Sequence, residues 1–134
     1  MFKNDLIAER VMDKKNTWEL HEDLIWEDEK IKVVVRKGFI FDFASVPRIF
    51  WNIFSPNGGR YDRASCLHDW LYEKKCVRVK HMIKNKLKYV PTFIERKEAD
   101  EIFYKAMLAD GTPKWKAKIF YWAVRIGGGS RWGK

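Results

Sequence analysis

Residues 64–72 read Ala-Ser-Cys-Leu-His-Asp-Trp-Leu-Tyr. Ala64, Leu67 and Leu71 recur at intervals of three and four, the spacing that lines one face of an α-helix. Asp62 stands ahead of the run as a ready N-cap, so the pattern predicts a helix over 63–75. His68 and Tyr72 lie four apart and share a face beside the apolar one, whereas Asp69 points about a quarter turn away from His68.

On the N-terminal side the periodicity changes. Trp18, Leu20, Leu24 and Trp26 all fall on even positions, a period of two that predicts a strand over 17–26. The Val-, Ile- and Phe-rich stretch 30–43 predicts another, with Gly38 as a bulge or bend. Asp28-Glu29-Lys30 supplies the turn between them. Residues 1–16 are weakly patterned and suit an extended arm or a short edge strand. Pro47 ends strand character and opens a helical turn over 48–54. Ser55-Pro56-Asn57-Gly58-Gly59 is a loop by its turn residues.

On the C-terminal side, 76–91 is a basic connector without an acid. It is a candidate hairpin through Val77 and Val79 on one arm and Leu87, Tyr89 and Val90 on the other. A second helix starts at Thr92 or Glu95 and runs to about Asp110. Its stripe is Ala99, Ile102, Phe103, Ala106 and Met107, and Gly111 is its stop. Pro113 opens a third helix to Ile126, with Trp115, Ile119, Trp122, Ala123 and Ile126 apolar, and Gly127-Gly128-Gly129 breaks it. These elements predict one α+β domain over 1–134, a small antiparallel sheet followed by a three-helix core.

The composition bounds the function. With 46% hydrophobic and 34% charged residues among 134, intrinsic disorder is excluded. No apolar run reaches the roughly 18 residues of a membrane helix, so no transmembrane segment is expected. The opening residues lack an apolar core, so no secretory leader is expected. Cys66 and Cys76 are expected to be free thiols, and there is no CxxC or HExxH zinc signature.

The net charge of +9 is uneven: residues 1–30 carry −4 and the remainder +13. The tail's Lys114, Lys116, Lys118, Arg125 and Arg131 have no acid among them and alternate with Trp115, Tyr121, Trp122 and Trp132. Such a surface suits an anionic partner, either a lipid surface or nucleic acid. A Lys-rich solvated face or a protein-docking face fits the same residues. No helix-turn-helix, zinc-finger or RNP pattern supports sequence-specific reading of DNA.

Asp100 interrupts the stripe of the second helix. If the two helices pack antiparallel, it can reach His68. A carboxylate that holds an imidazole fixes its tautomer and raises its basicity, as a general base requires. The same residues also suit a buried polar network that holds the fold.

Three motifs occur in order: Gly-Phe-Ile-Phe-Asp-Phe-Ala-Ser-Val-Pro-Arg at 38–48, the His-Asp-Trp-Leu-Tyr segment, and Glu-Ala-Asp-Glu-Ile-Phe at 98–103. Over roughly 18–130 the chain resembles a family of small phage and prophage domains of unknown function. That resemblance implies a viral origin, a location in the virion or the cytoplasm of an infected bacterial host, and other virion proteins as partners. A non-enzymatic virion or tail-assembly role is compatible with it, as is a small effector that binds a host protein or nucleic acid. Cys66 stands where the family commonly has an aliphatic residue, which argues against a nucleophile.

Locally, over some 40 residues, the helix pair is similar to the active-site helices of phospholipase A-two enzymes, the disulfide-free parvovirus form above all. In those enzymes the His activates a water, the next Asp binds calcium, and the Tyr and the distant Asp orient the His. The likeness implies His68 as base, Tyr72 and Asp100 as the orienting pair, and Asp69 as a calcium ligand in a metal-assisted hydrolase of ester or phosphoester bonds. The calcium would hold the phosphate and polarise the ester. This chain departs from those enzymes at the calcium loop, where Asn57-Gly58-Gly59 replaces Gly-x-Gly. Asp42 is the candidate second carboxylate, or else it caps the turn that follows it.

Overall fold

The computed structural model describes residues 1–11, 17–42 and 62–133. Seven strands and four helices follow in the order β1 (Ala8–Arg10), β2 (Trp18–Leu20), β3 (Leu24–Glu27), β4 (Ile31–Val35), β5 (Ile40–Phe41), α1 (Asp62–Lys74), β6 (Cys76–Ile83), β7 (Lys86–Phe93), α2 (Arg96–Ala109), α3 (Lys114–Gly127) and α4 (Gly129–Trp132). The class is α+β. The turn expected over 48–54, the loop at 55–59 and the capping side chain of Asp62 lie outside the described residues.

Where one sheet was expected, the described residues form two, and both are antiparallel. One has the order β1-β2-β5 and the other β3-β4-β6-β7. The run 17–26 divides at 21–23, so β2 and β3 enter different sheets. Its even-numbered side chains keep their direction through the bend, because Leu20, Leu24 and Trp26 are all buried. Asp23 fixes the bend: its carboxylate accepts from the Lys37 amide at 2.7 Å and its carbonyl from Asn4 Nδ2 at 2.6 Å. The run 30–43 divides likewise at Gly38, whose φ of +91° only glycine adopts cheaply. Its amide donates to the Leu20 carbonyl at 2.7 Å and leads β5 alongside β2.

The Asp28 turn forms as expected, with its carboxylate accepting from the amides of Lys30 and Ile31. The basic connector is a hairpin, and it joins the larger sheet through β4 rather than leaving all strands ahead of the helices.

Glu95, the later of the two expected starts, is the N-cap of α2, with a capping box between Glu95 and Glu98. Gly111, at φ +90°, follows its end. Contacts run in opposite senses along α1 and α2: Arg63 meets Asp110, His68 and Tyr72 meet Asp100, and the Lys75 carbonyl accepts from the Ile94 amide. The pair is therefore antiparallel. Arg63 also ties in the N-terminal arm, because it forks onto Asp110 (2.7 and 3.1 Å) and donates to the Asn4 carbonyl at 3.0 Å.

Helix α3 corrects one expectation. The face it buries is Ala117, Phe120, Ala123 and Val124, whereas Trp115, Trp122 and Ile126 are 60%, 61% and 85% exposed. Two apolar stripes compete on this helix. The one with two alanines faces inward because small side chains let its axis approach α2. The glycines end α3 only briefly, and α4 follows at once.

Gly128 is required by space. A Cβ there would sit 2.6 Å from Tyr72 Oη and 2.5 Å from the Val124 carbonyl. Gly128→Ala is expected to cost about 1–3 kcal/mol, the range for overpacking. Gly129→Ala, whose Cβ would meet nothing closer than 3.9 Å, should stay within about 0.5 kcal/mol of wild type. Equal thermal melts for the two variants would refute this account of Gly128.

Candidate active site

His68, Tyr72 and Asp100 come together as the sequence predicts. His68 Nε2 lies 2.7 Å from Asp100 Oδ1, and the Tyr72 hydroxyl donates to the same oxygen at 2.6 Å. The His68 ring packs against Tyr72 at 4.2 Å and Phe103 at 4.5 Å between centroids. His68 and Asp100 are both fully buried.

A third group enters from α3: Arg125 Nη1 donates to Asp100 Oδ2 at 2.9 Å. Arg125 was expected on the basic surface. The structure instead makes it the counter-ion of the buried carboxylate. The sequence held a signal for this, since a carboxylate inside an apolar stripe needs a cation. What it did not hold was which of the tail's basic residues turns inward.

Burial opposes ionisation of Asp100. Hydrogen bonds from His68, Tyr72 and Arg125 outweigh it and hold the carboxyl below the usual carboxylate range. An ionised carboxylate only accepts, so His68 donates its Nε2–H to it. In the neutral ring Nδ1 is then the basic nitrogen. Burial and the nearby Asp100 push the Tyr72 hydroxyl well up, so it stays a phenol and a donor. Burial, then Asp69, does the same to the Cys66 thiol, which makes it a poor nucleophile. Neither cysteine is in a disulfide.

Next to this network is a cavity of about 300 Å³, lined by Phe39, Phe41, Asp69, Tyr72, Glu73 and Arg131 among others. Asp69 therefore faces the cavity while its neighbour His68 faces the core. Phe39 and Trp70, which meet edge to face at 5.1 Å, hold β5 against α1 beside it. Asp42 lies at the end of β5, where Arg131 Nη2 approaches it to 3.6 Å.

Of the two expected calcium ligands, Asp69 lines the cavity, whereas Asp42 is paired with Arg131. Among the described residues no three His, Cys, Asp or Glu side chains gather as a metal site. Asn57-Gly58-Gly59 lies outside the described residues.

Lys114 and Lys118 are exposed on α3, and Lys116 is half-buried with its ammonium 5.5 Å from the Trp115 ring. These three remain a basic, aromatic patch. Arg125 leaves it for Asp100, and Arg131 faces the cavity and Asp42.

The chain belongs to the family described as protein of unknown function (DUF1353), whose model matches residues 18–124. Two relatives come from Sinorhizobium fredii (strain NBRC 101917 / NGR234). Uncharacterized protein y4jT is 35% identical over 84% of this chain and 29% of its own length. Uncharacterized protein y4iH is 34% identical over 69% of this chain and 31% of its own length. The chain therefore spans about three tenths of the relatives it matches. No solved structure matches it. Among the described residues no helix is long and apolar enough to cross a membrane.

The carboxylate gives the site a pH signature. The folded Asp100 carboxyl lies below its unfolded value of about 3.9. Its contribution is therefore complete above that pH and is lost as the pH falls through the lower, folded value. Asp100→Asn should cost about 3 kcal/mol at pH 7, as for other broken buried pairs, and should flatten the acid limb of the stability curve. Denaturant melts between pH 2 and 7 measure both. An unchanged acid limb would show that Asp100 does not carry this linkage.

Proposed function

We propose that this domain is a hydrolase of ester or phosphoester bonds, with His68 as general base and Asp100 and Tyr72 as its positioning groups. The observation that carries the proposal is the shared Asp100 oxygen. It fixes the Nε2–H tautomer of His68, and the very next residue, Asp69, lines a cavity of about 300 Å³. In this reading Nδ1 takes a proton from water as the water attacks the ester carbonyl or phosphorus. The imidazolium that forms is stabilised by Asp100 and then protonates the leaving oxygen. Asp69 is the proposed calcium ligand and Asp42 the second carboxylate, with the metal drawn from the likeness to the phospholipase A-two helix pair.

A second reading rests on a specific observation: His68 and Asp100 are fully buried, as in a polar network that only holds helices together. In that case the domain is a non-enzymatic virion or tail-assembly protein, or a small effector. On either reading the three ordered motifs support a phage or prophage origin, and with it the virion or the infected cell as the place of action.

The test is hydrolysis of phospholipid mixed micelles and of a phosphodiester, each with calcium and with a chelator. Wild type, His68→Asn and Asp69→Asn are compared. The hydrolytic reading expects His68→Asn to lower the turnover of the folded protein by about 10²–10⁴, and the chelator to act like Asp69→Asn. A wild type inactive on every substrate, with His68→Asn strongly destabilised, would favour the structural reading.

A further inference from the structure

We infer that the β6–β7 hairpin is a docking element for an anionic lipid surface. This inference goes beyond the hydrolytic reading and does not depend on it. Strand β6 pairs with β4 through Arg78 and Val79, and the Lys80 amide donates to the Lys30 carbonyl at 2.8 Å, after which the hairpin continues to its tip at Lys84-Asn85. At about 3.3 Å per residue, the three residues His81–Ile83 carry it some 10 Å past the last backbone bond to that side of the sheet. Lys84 and Asn85, at φ +52° and +63°, close it in the tight two-residue turn of a type I′ hairpin. Beyond Val79 no hairpin residue is buried, and β7 is exposed along its whole length.

What the hairpin exposes selects the partner. Over 76–93 it carries Arg78, Lys80, Lys84, Lys86 and Lys88 and no acid. Lys80 is spent on Glu27 at 2.8 Å, whereas Lys84, Lys86 and Lys88 ring the tip.

Between them lie aliphatic side chains: Met82 is 69% exposed, Leu87 49% and Ile83 46%. Met82 and Leu87 are cross-strand partners on one face, which continues through Tyr89 to Phe93, 85% exposed at the base. A tip of aliphatic residues ringed by lysines matches the boundary between acyl chains and anionic headgroups. A single-stranded nucleic acid is matched instead by aromatic platforms, and the tip itself is aliphatic, with Tyr89 and Phe93 set back toward the base. The observations therefore favour lipid over nucleic acid.

The experiment is sedimentation of the full chain with diether phospholipid vesicles, which an esterase cannot cleave, so that docking is read apart from turnover. One set contains phosphatidylglycerol and phosphatidylcholine in equal parts, the other phosphatidylcholine alone. A single-stranded oligonucleotide is titrated in parallel.

Binding is expected to the anionic vesicles only, falling from about 50 to 500 mM salt as screening sets in. Lys84→Gln/Lys86→Gln/Lys88→Gln should weaken partition about fivefold per lysine, roughly a hundredfold in all. Met82→Ser/Leu87→Ser should weaken it while preserving the salt dependence. Both sets lie on exposed residues, so melting temperatures should match wild type. The inference is overturned if the triple variant binds vesicles as wild type does, or if only Lys114→Gln/Lys118→Gln on α3 abolishes binding. Binding to the oligonucleotide with none to vesicles overturns it as well.

Discussion

The buried carboxylate of Asp100 is the constraint around which the rest is arranged. A lone ion in the core would cost several kcal/mol, and three donors from two other helices offset that cost. His68 and Tyr72 come from α1 and Arg125 from α3. Helix α2 must therefore lie between α1 and α3, with their rotations fixed so that each donor points at the same carboxyl group. The apolar packing is consistent with this demand. Ala99 and Ala106 on α2, and Ala117 and Ala123 on α3, are small where the helices approach. Gly128 leaves room for the Tyr72 ring to reach Asp100.

Much of this was legible in the residues because it is written at short range. The helix over 63–75, the start of the second helix near Glu95 and the Asp28 turn each depend on neighbours within a few positions. The His68–Asp100 pair was legible for a different reason: each is the polar break in an otherwise apolar stripe, and two such breaks satisfy one another. What was hidden depends on long-range choices. A period-two run does not say whether it stays in one sheet, and so the splits at 21–23 and at Gly38 were missed. Helix α3 offered two apolar stripes. Only its docking on α2 decides that Phe120 turns inward while Trp115 and Trp122 turn out. The inward turn of Arg125 follows from the same docking, so it could not be separated from the other basic residues of the tail.

Helix α1 divides two kinds of chemistry between its faces. His68 looks into the core, where low polarisability strengthens each hydrogen bond and fixes the imidazole, and Tyr72 spans the two sides, donating to Asp100 while also lining the cavity. Asp69 and Glu73, one residue further on in each case, look into the cavity. A one-residue offset on a helix turns a side chain by about 100°, which is enough to put the proposed base and the proposed ligand on either side of one wall. This arrangement gives rigidity to the first and access to the second.

The charges around the cavity bear on what it can receive. Asp69 and Glu73 present two carboxylates against the single guanidinium of Arg131, which is itself engaged with Asp42 at 3.6 Å. Such a wall repels an anion unless a cation intervenes, and it tolerates a neutral ester or attracts a cation. The positive charge of the chain is concentrated elsewhere, on the β6–β7 hairpin and on Lys114 and Lys118 of α3. A large anionic surface and a small reacting group would thus be met by different parts of the molecule. The first would be held by distant lysines, and the second would be admitted to an acid-lined pocket beside the imidazole.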